Sequence, residues 1–91
     1  MSYEKVGDKK ECQSAYTYTG NTKCDGWNGI TLEECKVKCT NNEVPNAACP
    51  RQDVKCIYIS YNYVTSWCHL GDEACVPMKS QPEGIVFKKR G

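Results

Sequence analysis

Large aliphatic and aromatic side chains are scarce in this 91-residue chain. Leu, Ile, Val and Phe together account for only 14 residues, of which a single one is Phe. A set this small normally indicates a chain that cannot bury enough apolar surface to fold unaided. The formal net charge is only +1, however, and eight cysteines are present. Because cross-links can replace a missing core, the composition predicts one small, disulfide-rich domain.

Features that identify other classes of protein are also missing. The N-terminal stretch MSYEKVGDKKEC has no apolar segment, so we expect no signal peptide there. No stretch is apolar enough to span a membrane, and the near-neutral charge disfavours nucleic acid as a partner. The cysteine content predicts a secreted or extracellular location, or the lumen of a secretory organelle. Since no phosphate-binding, zinc-protease or serine-hydrolase motif occurs, we expect no catalysis and no cofactor or metal.

The clearest local signal is the stretch TLEECKVKC, which begins at Thr31. Its T-x-x-E start is a capping box, and its Leu and Cys residues recur at helical spacing. The pattern predicts a helix over 32–40. Cys35 and Cys39 lie one turn apart on one face of this helix, so they cannot easily bridge each other.

Alternating apolar and polar residues predict the strands. The strongest is CIYISYNYV at 56–64, and SWCHL at 66–70 completes a hairpin with it. Shorter strands are predicted at 15–20 and 84–89. The sum is an α+β fold, in which one helix packs on a small antiparallel sheet. We expect a single domain over 1–91 with its core at about 12–89, frayed ends at 1–11 and 90–91, and irregular loops at 41–55 and 75–84.

Period-two alternation also assigns side chains to the two faces of the predicted sheet. In the first hairpin strand one face takes Ile57, Ile59, Tyr61 and Tyr63, and the other takes Cys56, Tyr58, Ser60 and Asn62. In the last strand, Ile85 and Phe87 are expected to point inward. The single histidine, His69, is expected to face solvent on its strand rather than to act as a base.

The helix cysteines leave three chemistries to consider. A redox pair would normally be C-x-x-C at the start of a helix, whereas these two lie in mid-helix. A zinc site usually needs a second closely spaced pair or spaced histidines, and neither occurs. Two separate bridges to the hairpin fit the geometry, with Cys56 and Cys68 as the obvious partners. Eight cysteines allow 105 connectivities, so spacing alone does not fix the pairs.

Here the sequence resembles the PAN/apple domain family. TLEECKVKC, CIYISYNYV and SWCHL match the helix, strand and hairpin-cysteine pattern of that family over about residues 12–75. The resemblance implies the nested bridges Cys35–Cys68 and Cys39–Cys56, and a buried Tyr61. The four remaining cysteines depart from the family pattern. We favour Cys24–Cys75 with Cys12–Cys49, and the alternative pairing is Cys12–Cys75 with Cys24–Cys49.

PAN/apple domains are non-catalytic binding modules, found for example in secreted plasma proteins and in microneme adhesins of apicomplexan parasites. The resemblance therefore implies an extracellular adhesion or recognition module that binds a protein on a cell surface or in a secreted complex. Carbohydrate binding is the first alternative. Exposed aromatic residues are the candidate contacts, because such residues dominate both protein hot spots and sugar stacking. These candidates are Trp27, Tyr63 and Trp67.

A second alternative is a small disulfide-rich toxin or protease inhibitor. The stretch CPRQDVKC at 49–56 places Arg51 and Lys55 between two cysteines. Such a segment has the residue types of a bait loop for a trypsin-like protease, which an inhibitor presents in one fixed conformation.

Overall fold

The computed structural model describes residues 2–14, 24–49, 52 and 54–90. In this part of the chain one α-helix packs on a five-stranded antiparallel sheet, which confirms the predicted α+β class. The elements are β1 (Ser2–Glu11), β2 (Trp27–Asn28), α1 (Leu32–Thr40), β3 (Tyr58–Asn62), β4 (Trp67–Gly71), a 3-10 helix (Glu73–Cys75) and β5 (Lys79–Arg90). Their order across the sheet is β1-β5-β3-β4-β2. The strand predicted at 15–20 lies outside the described residues.

Helix α1 begins and ends where the sequence predicts. The Glu34 amide donates to Thr31 Oγ1 at 3.1 Å, and the Thr31 amide donates to Glu34 Oε1 at 2.9 Å, so the capping box is complete. Both helix cysteines are fully buried against the sheet. The Tyr61 hydroxyl donates to the Ile30 carbonyl at 2.7 Å and so fixes the entry of the chain into the helix.

The main core lies between α1 and the sheet. Its fully or nearly buried members are Cys35, Cys39, Val54, Cys56, Ile59, Tyr61, Cys68 and Leu70. Ile59 and Tyr61 therefore face the helix, as the alternation predicts. The predicted face of Cys56 is wrong, because this residue precedes β3 and belongs to the helix-side cluster. Alternation applies only within the strand itself, which begins at Tyr58.

A second, smaller cluster lies on the opposite face of the sheet. It consists of the Cys12–Cys75 bridge and Val86, with Val6, Tyr58 and Met78 packed around them. Apolar packing thus covers part of this second face. The rest of that face, over β3 and β4, carries Ser60, Asn62, Trp67 and His69.

The expected fraying of the chain ends is wrong over residues 2–11 and at Arg90, which ends β5. Residues 2–11 form β1, the edge strand that pairs with β5 from Ser2↔Arg90 to Glu11↔Lys79. The Tyr3 hydroxyl donates to the Lys36 carbonyl at 3.0 Å, which ties this strand to α1. Charged residues dominate β1, and charge is typical of an exposed sheet edge that avoids further pairing.

The last strand is longer than predicted. The loop expected at 75–84 is wrong over most of its length, because Cys75 closes the 3-10 helix and β5 begins at Lys79. Ile85 and Phe87 pack against the helix-side cluster, so their predicted inward direction is confirmed. Between the pairs Asp8↔Ile85 and Lys10↔Ser80 the register shifts, and β5 places residues 81–84 opposite a single β1 residue. This irregularity had hidden the strand in the sequence pattern.

All eight cysteines are paired. Cys35–Cys68 and Cys39–Cys56 are the two bridges that the resemblance implies. The favoured pairs Cys24–Cys75 and Cys12–Cys49 are wrong, because the structure has the alternative, Cys12–Cys75 and Cys24–Cys49. The reason lies in β1: its pairing of Glu11 with Lys79 carries Cys12 to the 3-10 helix that ends at Cys75, where the Gln13 amide donates to the Cys75 carbonyl at 3.1 Å.

Candidate ligand-binding cleft

The sheet face opposite α1 presents polar side chains from β3 and β4. Ser60 lies directly across from His69, and Asn62 lies across from Trp67. Because side chains alternate along a strand, these four point away from the helix-side core that takes Ile59 and Tyr61. The hairpin therefore places an indole, an imidazole, an amide and a hydroxyl on one surface.

Two adjoining clefts lie on this surface. The small cleft has a volume of about 110 Å³, and the large cleft has a volume of about 310 Å³. Glu11, Trp67 and His69 contribute to both. The small cleft is completed by Ser60, Tyr61, Asn62, Thr65, Gln81 and Gly84. The large cleft is completed by Gln13, Ser14, Asp25 and Lys79. The large cleft reaches the lower end of the ordinary size range of small-ligand sites, ~300 Å³.

Asp25 reaches the large cleft because Gly26 lets the backbone approach β4 closely. Gly26 has φ +153°, and a Cβ there would collide with the Cys68 carbonyl oxygen and with His69 Cβ. Only glycine fits such an approach. The neighbouring Asp25 carboxylate consequently lies 3.7 Å from His69 Nδ1. The bridge Cys24–Cys49 also holds this segment, at the residue that precedes Asp25.

His69 is buried, so the expectation that it faces solvent is wrong. The residue is only 8% exposed, and its Nδ1 has no hydrogen-bond partner among the described residues. A buried polar atom without a partner is rare in folded proteins and marks this position as unusual. The strand pattern placed His69 on the face away from the main core. It could not show that β1, β5 and the segment before β2 would cover that face.

Ser60, His69 and Asp25 have the residue types of a hydrolase triad. Ser60 is only 2% exposed, and its Oγ accepts a hydrogen bond from the Cys12 amide at 3.1 Å. The hydrogen bonds of the described residues do not include one between Ser60 and His69. A catalytic serine needs an accessible hydroxyl that is hydrogen-bonded to its base. The geometry therefore gives no support to a nucleophilic role for Ser60.

The three aromatic candidates lie in different places. Trp67 is half-buried and lines both clefts. Trp27 lies in β2 and packs on the helix-side cluster, with Lys38 Nζ 5.5 Å from its ring centroid. Tyr63 is exposed in the β3–β4 turn, where its hydroxyl donates to the Pro82 carbonyl at 3.3 Å. The structure thus brings Trp67 into a cleft, leaves Tyr63 on a projecting turn and covers part of Trp27.

Sequence reasoning missed the acidic and basic residues of the clefts. Glu11 and Lys79 are cross-strand neighbours, with their charged atoms 3.4 Å apart, and Asp25 lies in the short segment before β2. The one available signal for Asp25 was Gly26, which follows it, since an isolated glycine can mark a close backbone approach. Of the bait-loop residues, Lys55 is exposed, whereas Arg51 lies outside the described residues.

No family model, no curated protein and no solved structure matches the chain. Over the described ranges, no helix has the length and apolar character needed to cross a membrane. In the same residues no group of three or more His, Cys, Asp or Glu side chains is arranged to hold a metal. The fold and its four bridges define the class, a small disulfide-rich α+β domain, and such bridges are compatible with an oxidising compartment.

Proposed function

We propose that this domain is a non-catalytic recognition module that binds a protein partner in an extracellular or secretory compartment. The observation that carries the proposal is an exposed apolar pair at the tip of the β3–β4 hairpin. Tyr63 is 56% exposed and Val64 is 61% exposed, side by side in the chain. Protein interfaces are enriched in tyrosine, and an adjacent aromatic and aliphatic pair offers apolar area that water does not stabilise.

The conformation of this tip is held in place, which favours binding. Asn62 Oδ1 accepts hydrogen bonds from the amides of Val64 at 2.9 Å and Thr65 at 3.0 Å. The Tyr63 amide donates to the Glu83 carbonyl at 3.2 Å, so the turn is also fixed to β5. A preorganised loop loses less conformational entropy on binding, and more of its contact energy appears as affinity.

Two further features favour the same proposal. Cys35–Cys68 ties β4 to α1, and Cys39–Cys56 ties the segment just before β3 to the same helix. Two covalent bridges therefore hold the hairpin against α1. The resemblance to PAN/apple modules, which bind other molecules rather than transform them, also supports recognition as the function. The hairpin tip also lies next to the clefts. Asn62 and Thr65 of the tip line the small cleft, and the small cleft adjoins the large one.

A paired screen tests the proposal. The oxidised domain is applied to an array of secreted and cell-surface proteins and, in parallel, to a glycan array. We expect a protein hit that Tyr63→Ser/Val64→Ser weakens by about thirtyfold or more, the equivalent of one interface hot spot of ~2 kcal/mol. Val37→Ser is the matched control, because Val37 is a similarly exposed valine on α1. Its binding should match that of the unmodified domain.

Two outcomes would replace the proposal. Binding to glycans alone, unchanged by the tip variant and lost in Trp67→Ala, would favour the carbohydrate alternative, which draws on Trp67 in a polar cleft. Stoichiometric inhibition of trypsin, abolished by Arg51→Ala or Lys55→Ala, would favour the inhibitor alternative. Cleavage without inhibition would remove that second alternative.

A further inference from the structure

The charges around the large cleft are unevenly compensated. The Glu11 carboxylate has the Lys79 ammonium 3.4 Å away. Among the described residues, the Asp25 carboxylate has His69 as its only ionic neighbour, at 3.7 Å, and that imidazole carries charge only when protonated. The Asp25 side chain is one-third exposed. The cleft therefore holds one partly exposed carboxylate that has no permanent cation beside it among the described residues, and a positive group that enters the cleft would compensate its charge.

His69 supplies a second, independent indication. Within the described part of the chain its buried Nδ1 has no hydrogen-bond partner, although it lies 3.7 Å from the Asp25 carboxylate at the wall of the cleft. That distance is too long for a hydrogen bond, so a donor that enters the cleft can bind the carboxylate instead. Guanidinium and ammonium groups carry several donors and no acceptor, so they match this carboxylate.

Trp67 completes the set of groups that attract a cation. Its indole is half-buried and lines the same cleft as Asp25 and His69. A cation over the face of a tryptophan ring is stabilised by the ring quadrupole, and arginine stacks there with its planar group. An aromatic wall beside a carboxylate favours an alkyl-ammonium or guanidinium side chain, because its apolar stem and charged end each meet a suitable surface.

We propose that the large cleft, with Asp25 as ionic partner and Trp67 as aromatic wall, accepts an arginine or lysine side chain of the protein partner. The inference rests on the proposed function and adds the chemistry of the partner to it. The tip residues Tyr63 and Val64 supply apolar contact, and the cleft supplies specificity for one basic residue. A site that pairs a carboxylate with a cation disfavours partners that lack the complementary group.

A titration followed by NMR tests the assignment on the oxidised, ¹⁵N-labelled domain. The probes are N-acetyl-arginine methylamide and N-acetyl-citrulline methylamide, which share shape but not charge. We expect saturable shifts at the Trp67 indole N–H and at the amides of Asp25 and His69 with the arginine probe only. Asp25→Asn should weaken its binding about tenfold or more, as loss of a charge-assisted contact implies. Asp8→Asn is the control, since Asp8 is an exposed aspartate on β1.

Salt supplies a second readout that needs no variant. Arginine binding to the unmodified domain should weaken between 0.05 and 0.5 M NaCl, values chosen to span weak and strong screening around the ~10 Å Debye length at 0.1 M. Equal binding of both probes, unchanged affinity in Asp25→Asn, or shifts at these residues with methyl glycosides but not with arginine would each overturn the assignment. If a protein partner is found and Asp25→Asn binds it normally, this inference alone fails. If the probe binds and no protein partner exists, the proposed function alone fails.

Discussion

The two faces of strands β3 and β4 are built from alternating residues of the same strands, yet they differ in polarity and in what packs against them. Toward α1 the strands present Ile59, Tyr61, Cys68 and Leu70, all buried in one apolar cluster. Away from α1 they present Ser60, Asn62, Trp67 and His69, which line two clefts. One hairpin of alternating pattern thus supplies half of the main core cluster on one face and, on the other, Trp67 and His69, which line both clefts.

This difference explains how a domain with so few apolar residues can keep a polar cleft on one face of its sheet. The helix-facing side stabilises the fold by apolar burial and two bridges, Cys35–Cys68 and Cys39–Cys56. The opposite side has an apolar cluster only around Cys12–Cys75, and beyond it leaves a carboxylate and an imidazole incompletely paired. Sites commonly retain such unfavourable groups, because the rest of the structure holds them in place.

The largest expected effect is loss of the whole fold, which removes both faces of the sheet together. Complete reduction of the bridges should unfold the domain, because chain-entropy arithmetic assigns each bridge about 3–4 kcal/mol, and the total matches or exceeds the ~5–15 kcal/mol net stability of a typical domain. Loss of the near-UV circular dichroism of the oxidised protein after reduction measures this. A reduced form that keeps that spectrum would show that the apolar clusters suffice. Non-reducing peptide mapping of the oxidised sample should give the four pairs described above.

Single substitutions should separate stability from binding. Ile59→Ala removes a fully buried side chain from the helix-facing cluster and should lower the free energy of unfolding by about 2–5 kcal/mol. Trp67→Phe keeps an aromatic ring on the cleft side and should cost only about 1 kcal/mol. Urea denaturation measures both values.

Binding of the arginine probe should reverse that ranking. Below its unfolding transition the Ile59→Ala domain should bind the probe normally, whereas Trp67→Phe should bind it more weakly, since phenylalanine is the poorer cation–π partner. A Trp67→Phe domain that binds as well as the unmodified one would separate the indole from the site. A large stability loss in that variant would place Trp67 in the core instead.

Two tyrosines two residues apart offer a finer comparison. Tyr61→Phe removes a buried hydroxyl that donates to the Ile30 carbonyl at 2.7 Å, and should lower the free energy of unfolding by about 1 kcal/mol. Tyr63→Phe removes an exposed hydroxyl 3.3 Å from the Pro82 carbonyl, and should change stability by at most about 0.5 kcal/mol. Thermal unfolding of the two variants tests the difference. Equal losses would mean that the turn at Tyr63 contributes to the core as much as the helix entry does.

The helix and the hairpin could be predicted because their signals are local. A capping box begins α1 at Leu32, and period-two alternation marks β3 and β4. The resemblance likewise implied the two bridges between these elements. Such features depend on residues a few positions apart, where propensity and pattern act together.

The rest depends on contacts between the ends of the chain. Nothing in MSYEKVGDKKEC indicates that Ser2–Glu11 will pair with Lys79–Arg90, because charged edge strands lack clear alternation. Without that pairing, the position of Cys12 beside Cys75 was hidden, and so was the burial of His69. The cleft could not be predicted from the sequence for the same reason, because Glu11, Asp25 and Lys79 come from three separate segments.

The smallest expected effect is the loss of stability in acid that arises from the capping box of α1. The Glu34 carboxylate accepts the Thr31 amide hydrogen bond, and this bond, followed by that of the Thr31 side chain, lowers the pKa of Glu34. A lowered folded-state pKa means that the ionised cap stabilises the domain at neutral pH. That contribution is lost as the pH falls from the ordinary glutamate pKa of about 4.3 through the lower folded value. The melting temperature of the unmodified domain should therefore fall more between pH 7 and pH 3 than that of Glu34→Gln, by a small margin because the group is exposed. Glu33→Gln, one residue away and outside the cap, should keep the full acid dependence; an unchanged dependence in Glu34→Gln would mean that the capping box does not sense acid.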